Sequence, residues 1–248
     1  MSKSKSSIFE RKVAKMTYVT LKASDESGEF QAYTVFPTTK EKAPVIIIIQ
    51  EIFGINKNVR DICDLYASKG YIALAPDLFW RQEPGIDITD QTQAEWDKAF
   101  ELFNGFNVDN GVEDLATTLN YARSLDGSNG RVGCVGYCLG GKLAYLMSAR
   151  TDIDCAVSYY GVGLNELVGE KDKITTPLLM HVAEKDQFVP REAQEIMEMH
   201  LKPHPCIDYH VYEGMDHAFT RINGAHYDAD NAQIANERSY SFFSNHLK

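Results

Sequence analysis

The chain has 248 residues, with 25 Lys and Arg against 35 Asp and Glu, a formal net charge of −10 with histidines neutral. That length buries a sizeable core without disulfide or metal staples, and 44% hydrophobic with 24% charged residues excludes wholesale disorder. So negative a balance argues against a nucleic-acid partner and against an anionic membrane surface, yet leaves room for an anionic small molecule, which needs only a few local cations.

Residues 1–15 carry Lys and Ser but no apolar stretch, and read as a flexible, solvated extension rather than a secretory signal. Residues 18–21 and 31–36 alternate in polarity and predict an antiparallel pair. Residues 45–49 form a continuous β-branched run, the pattern of a strand buried on both faces. Strands follow at 71–75, 131–136, 155–159, 178–182 and 207–212. Between them lie amphipathic helices, one with Val112, Leu115, Ala116, Leu119 and Ala122 on a face. A second aligns Leu139, Leu143, Leu146 and Met147, and a third Ala193, Ile196, Met197 and Leu201. Residues 228–247 predict a terminal helix burying Phe242 and Phe243. This alternation implies an α/β fold, a mostly parallel sheet of about eight strands flanked by helices on both faces, in one domain over 16–248. In such sheets chemistry gathers just beyond the carboxyl ends of the strands.

One of those ends reads Gly136-Tyr137-Cys138-Leu139-Gly140-Gly141-Lys142 and opens a helix. The spacing is that of a nucleophile elbow with cysteine in place of serine. Its glycines let strand and helix approach closely, the helix start favours a thiolate, and the Leu139 N–H points to where an oxyanion would form. Gly136, Gly141 and Lys142 also fit most of a phosphate-binding loop, but Leu143 stands where magnesium ligation wants Ser or Thr. A buried structural thiol is the bland reading for Cys138 alone.

Two later strand ends bring Ala183-Glu184-Lys185-Asp186 and Glu213-Gly214-Met215-Asp216-His217. Asp186 and His217 follow Cys138 in the order acid then base that an elbow nucleophile takes. Glu184 and Asp216 compete for the acid's place, although Asp216 adjoins the histidine and is poorly set to face its ring. After residues 45–49 stands Gln50-Glu51-Ile52-Phe53-Gly54, where Glu51 is either a solvated cap or a proton acceptor for the thiol, and the Ile52 N–H a second oxyanion donor. Arg81 is the first base after the strand at 71–75, and Arg221 lies four residues past His217. Each alone reads as a surface residue; beside one site they would form a clamp for a carboxylate.

The five cysteines, Cys63, Cys134, Cys138, Cys155 and Cys206, are odd in number and scattered, as expected of free thiols in the cytoplasm. No Cys or His spacing marks a metal site, no motif asks for a cofactor, and no apolar run is long enough to span a bilayer.

Taken together, these segments resemble the dienelactone hydrolase (carboxymethylenebutenolidase) family of α/β-hydrolases with a cysteine nucleophile. The likeness runs from about Val45 to the C-terminus and includes Tyr159-Tyr160-Gly161-Val162-Gly163 and Phe188-Val189-Pro190 as well as the motifs above. It implies Cys138, Asp186 and His217 as triad, Glu51 as an aid to thiol deprotonation, and Arg81 and Arg221 as grips on a substrate carboxylate. The chain departs at Ala218, where the family often carries Ser, and at Ala183, where Gly is common. The expected reaction is opening of a small anionic enol-lactone to maleylacetate in aromatic-compound catabolism, by a monomer. A broader carboxylesterase or thioesterase, and a non-catalytic ligand receptor on the same fold, are the rivals.

Overall fold

In the computed structural model, which describes residues 15–39 and 41–247, the chain builds one eight-stranded sheet of order β1-β2-β4-β3-β5-β6-β7-β8. β1 (Lys15–Lys22) and β2 (Glu29–Phe36) form the expected antiparallel pair, with Tyr18 opposite Tyr33. β2 then pairs antiparallel with β4 (Ile72–Pro76). From β4 through β3 (Ala43–Ile49), β5 (Ser128–Tyr137), β6 (Cys155–Tyr159), β7 (Leu178–Ala183) and β8 (Ile207–Tyr212) all pairing is parallel. The expected extension at 1–15 falls outside the described residues except for Lys15, which opens β1.

β3 is central because its run of Val45 and four isoleucines is fully buried and serves both neighbours. Helices α1 (Lys57–Ser68), α2 (Gln93–Gly105), α3 (Val108–Ser124), α4 (Leu139–Arg150), α5 (Arg191–Leu201) and α6 (Ala229–His246) connect the strands or close the chain. α3, α4, α5 and α6 match the expected apolar faces, although Ile196 is exposed and Phe242 only half-buried. α1 and α2 were not among the helices expected. α1 is capped by Asn56, whose side chain accepts from the Val59 N–H at 3.2 Å. No helix among the described residues is long and apolar enough to cross a membrane.

Behind the sheet a buried polar chain ties α6 to three strands. The Tyr159 hydroxyl bonds Ser239 Oγ at 2.7 Å, Ser239 bonds His181 Nε2 at 2.9 Å, and His181 Nδ1 bonds the Tyr212 hydroxyl at 2.7 Å. Burial first, then the nearby His210 and Arg238 charges, hold the His181 imidazole well below its ordinary range, so it serves as a neutral link. Phe243, fully buried, packs edge-on to Tyr66 and Tyr71 and seats the same helix. Phe243→Ala should therefore cost about 3–5 kcal/mol in urea unfolding; a loss near zero would mean α6 is not part of the cooperative core.

Candidate active site

β5 runs into α4 through Cys138, which sits at φ 57°, ψ −114°. A side chain at positive φ is strained and persists only where its surroundings enforce it. Here they do: a Cβ at Gly136 would strike the Gly140 carbonyl, and a Cβ at Gly140 the Ile49 carbonyl of β3. The glycines that also fit a phosphate-binding loop thus serve close contact between helix and sheet. The Cys138 N–H donates to the Tyr159 carbonyl of β6 at 3.1 Å. Leu139 is the first residue of α4, so its N–H has no intrahelical acceptor.

Cys138 faces a cavity of about 150 Å³ lined by Glu51, Ile52, Phe53, Trp96, Phe100, Phe103, Val162, Phe188, His217 and Arg221 besides itself. His217 and Asp186 meet there from the loops after β8 and β7. The His217 Nδ1–H donates to the Asp186 carboxylate, at 2.8 and 3.0 Å from its two oxygens, since a carboxylate can only accept. The Phe188 and Val189 N–H groups donate to Asp186 Oδ1 at 2.8 and 3.2 Å and fix its orientation. Both competitors for the acid's place are engaged elsewhere. Asp216 accepts from the His217 and Gln187 N–H groups, and Glu184 from the Gly214 N–H.

The His217 ring is wedged between Tyr160 and Phe188, at 5.0 and 4.8 Å between centroids. Burial is the largest influence on it and pulls its pKa down. The Cys138 charge, and hydrogen bonds to Asp186 and to Cys138, outweigh burial and lift the imidazole to about 10. With Nδ1 on Asp186, the other ring nitrogen is left for the sulfur. Such a set can hold a nucleophile, move its proton, and later activate water.

The two arginines part company. Arg221 reaches the cavity, donating through Nη1 to both Glu51 oxygens at 3.1 Å and through Nη2 to Asp90 at 2.8 Å, over the Phe53 ring at 5.2 Å. Glu51 is therefore held by Arg221 rather than solvated as a cap. Arg81 does not line the cavity, which corrects the expected two-arginine clamp. Its Nε and Nη2 form a fork on Asp114 at 2.9 and 2.8 Å, and Nη1 takes Asp25 and Ser27. Asp114, on α3, is buried and needs that cation, and it also accepts from the Trp80 indole at 2.8 Å.

Sequence reasoning missed the aromatic wall. α2 presents Trp96, Phe100 and Phe103 to the cavity, with Trp96 edge-on to Phe53 at 5.2 Å and stacked on Phe100 at 5.5 Å. The signal was present: Thr92 caps the Glu95 N–H at 3.3 Å, the spacing of a capping box ahead of Trp96, Ala99, Phe100 and Phe103. Asp90, just before it, was missed as Arg221's second partner. Among the described residues no group of three His, Cys, Asp or Glu side chains is placed to hold a metal.

A family model described as the dienelactone hydrolase family matches residues 30–247. A protein of Azospirillum brasilense is 49% identical over 233 residues, covering 94% of this chain and 100% of that one. Carboxymethylenebutenolidase 1 of Cupriavidus pinatubonensis is 40% identical over 216 residues, 87% of this chain and 92% of that one. Among solved structures, one from Klebsiella pneumoniae superposes with a TM-score of 0.78 at 25% identity, covering 93% of this chain and 99% of that one. With the sheet order above, these similarities identify the α/β-hydrolase fold.

Two outcomes follow from the geometry. Cys138→Ser, which removes the sulfur's charge, should drop the His217 pKa from about 10 toward its ordinary 6.5, read by NMR titration of the ring protons; an unmoved value would dissociate the two residues. Arg81→Ala should destabilise the fold by about 3 kcal/mol, because it strands the buried Asp114 carboxylate. A shift in KM at unchanged urea midpoint would instead return Arg81 to the cavity.

Proposed function

This chain belongs to the dienelactone hydrolase family, and from that premise we propose that it opens an enol-lactone to maleylacetate through a Cys138 acyl-enzyme, with His217 and Asp186 completing a triad. The observation that carries this reading is the strained Cys138 turn facing the cavity, with the Asp186-held imidazole beside the sulfur. The thiolate attacks the lactone carbonyl, and the oxyanion is met by the N–H groups of Leu139 and Ile52. Collapse breaks the ring C–O bond and expels an enolate, which is protonated at carbon with the proton that His217 took from the thiol. Water, deprotonated by His217 while Asp186 orients the ring, then cleaves the thioester and restores the thiol.

Cysteine suits this substrate because a tetrahedral intermediate expels its better leaving group. A thiolate leaves more readily than an alkoxide, so attack on a plain alkyl ester reverts, whereas an enolate leaves well enough for the acyl-enzyme to form. Arg221 is the cation for the substrate carboxylate. As that carboxylate draws on Arg221, Glu51 loses a partner, and its freed carboxylate assists the transfer of the thiol proton to His217. Action in the cytoplasm as a monomer, within aromatic-compound breakdown, belongs to the same proposal. The aromatic lining also favours a second reading, a carboxylesterase or thioesterase for neutral activated esters, which a panel of charged and neutral substrates separates.

Replacing Cys138 by Ala should lower kcat on a dienelactone by about a thousandfold or more and abolish the acyl-enzyme seen by intact mass after rapid quench. Retained turnover would falsify the nucleophile assignment. Cys138→Ser should raise activity on plain alkyl esters relative to the lactone, because a serine alkoxide is no better a leaving group than the ester's own alcohol, and a fall in that ratio would reject the leaving-group argument.

A further inference from the structure

A second cavity, of about 370 Å³, opens between α1 and α6 and shares only Arg221 with the catalytic one. Adjacent residues of the elbow serve the two: Cys138 lines the first and Tyr137 the second. The Tyr137 ring is fixed by stacking on Tyr159 at 4.8 Å, and Tyr66 of α1 meets Tyr240 of α6 edge-on at 5.6 Å. Tyr66 and Tyr137 are only 2% and 6% exposed, yet their hydroxyls have no hydrogen-bond partner among the described residues. Neither hydroxyl is sealed in the packed interior. The phenols beside them are satisfied, Tyr159 by Asn236 and Ser239 and Tyr160 by Thr220. Buried hydroxyls rarely go unpaired, so these two are left for an occupant of the cleft.

We infer that the cleft between α1 and α6 is a second small-molecule site, taking a neutral aromatic ring that carries a hydroxyl, that is, a phenol. Size, charge and hydrogen bonding converge on that class. A cavity of about 150 Å³ accepts benzene, so this one has room for a substituted ring. At its mouth Leu65, Ile222 and Tyr227 are all exposed, an apolar rim of the kind that marks a binding groove.

Arg221 is the one cation in the lining among the described residues, and Glu51 and Asp90 already hold it. Asp61, at the rim, is paired with Lys57. Burial, then the neighbouring phenols, keep Tyr66 and Tyr137 well above the ordinary tyrosine range, so both remain neutral hydroxyls. An anion therefore meets no free positive charge. A ligand hydroxyl both donates and accepts, and can pair with the two tyrosines in either sense. The cleft is independent of the reaction at Cys138.

The test is a saturation-transfer NMR titration of the full-length protein with phenol, benzoate and toluene, which share a ring and differ in what it carries. Phenol should bind most tightly. Tyr66→Phe and Tyr137→Phe should each weaken it by about fivefold, the scale of one neutral hydrogen bond, and leave toluene unchanged. Ala232→Leu, which fills the cleft from α6, should abolish phenol binding while kcat/KM on an activated aryl ester stays at the wild-type value. No saturable binding of phenol would mean that the cleft holds water only and overturns the site, as does binding that both hydroxyl deletions retain. Benzoate binding more tightly than phenol overturns the neutral class. Should Ala232→Leu not fold, the two hydroxyl deletions, which keep each ring in place, decide by the ratio of phenol to toluene affinity.

Discussion

The constraint on which the site depends is the close approach of α4 to the sheet. Gly136 and Gly140 have no room for a side chain because each would collide with a backbone carbonyl, one in the helix and one in β3. Bringing a helix start that near a strand end leaves a single residue to make the turn, and Cys138 makes it at positive φ. The strain is held by the Cys138 N–H bond to Tyr159, whose hydroxyl is in turn fixed through Ser239 and His181. The sulfur, though buried, is thereby presented to the cavity with the helix N-terminus behind it, whereas Cys63, Cys134 and Cys155 do not line it and burial pushes their thiols far up.

Electrostatics around the cavity follow a different logic from the overall charge. At −10 the chain repels anions at long range, so a carboxylated substrate requires local positive potential. The cations that supply it are fewer than two arginines in the sequence imply. Arg81 is bound to Asp114 and Asp25, where it braces the segment between β4 and α2 against α3 and the β1–β2 turn. Arg221 remains, shared with Glu51 and Asp90, together with the His217 imidazolium and the start of α4. The site is poised rather than simply positive: Arg221 already has two carboxylate partners, and the His217 ring has Asp186.

Much of this was legible in the sequence because it is local. The elbow is written within a few residues, and a strand's buried run and the residue that follows it are neighbours in the chain. Parallel strands then bring their carboxyl ends to one edge, so the separate loops of Cys138, Asp186, His217 and Glu51 converge without any pairwise information. Position argued against Asp216 but left Glu184 open beside Asp186, and the family resemblance pointed to Asp186; the backbone N–H groups of Phe188 and Val189 give the reason it faces the imidazole. α2 escaped notice although its Thr92–Glu95 cap was present, because its aromatic face is set among polar residues between two loops.

What the sequence by itself determined is therefore the fold, the elbow and the placing of Cys138, Asp186 and His217 after three strand ends, since each follows from spacing along the chain and from the sheet's periodicity. Only the tertiary structure decided the fate of the charges. Arg81 finds Asp114 across 33 residues, and Arg221 finds Glu51 across 170 and Asp90 across 131. No local pattern selects among several carboxylates on separate loops; the choice falls to the one that the packed helices desolvate within reach of the guanidinium.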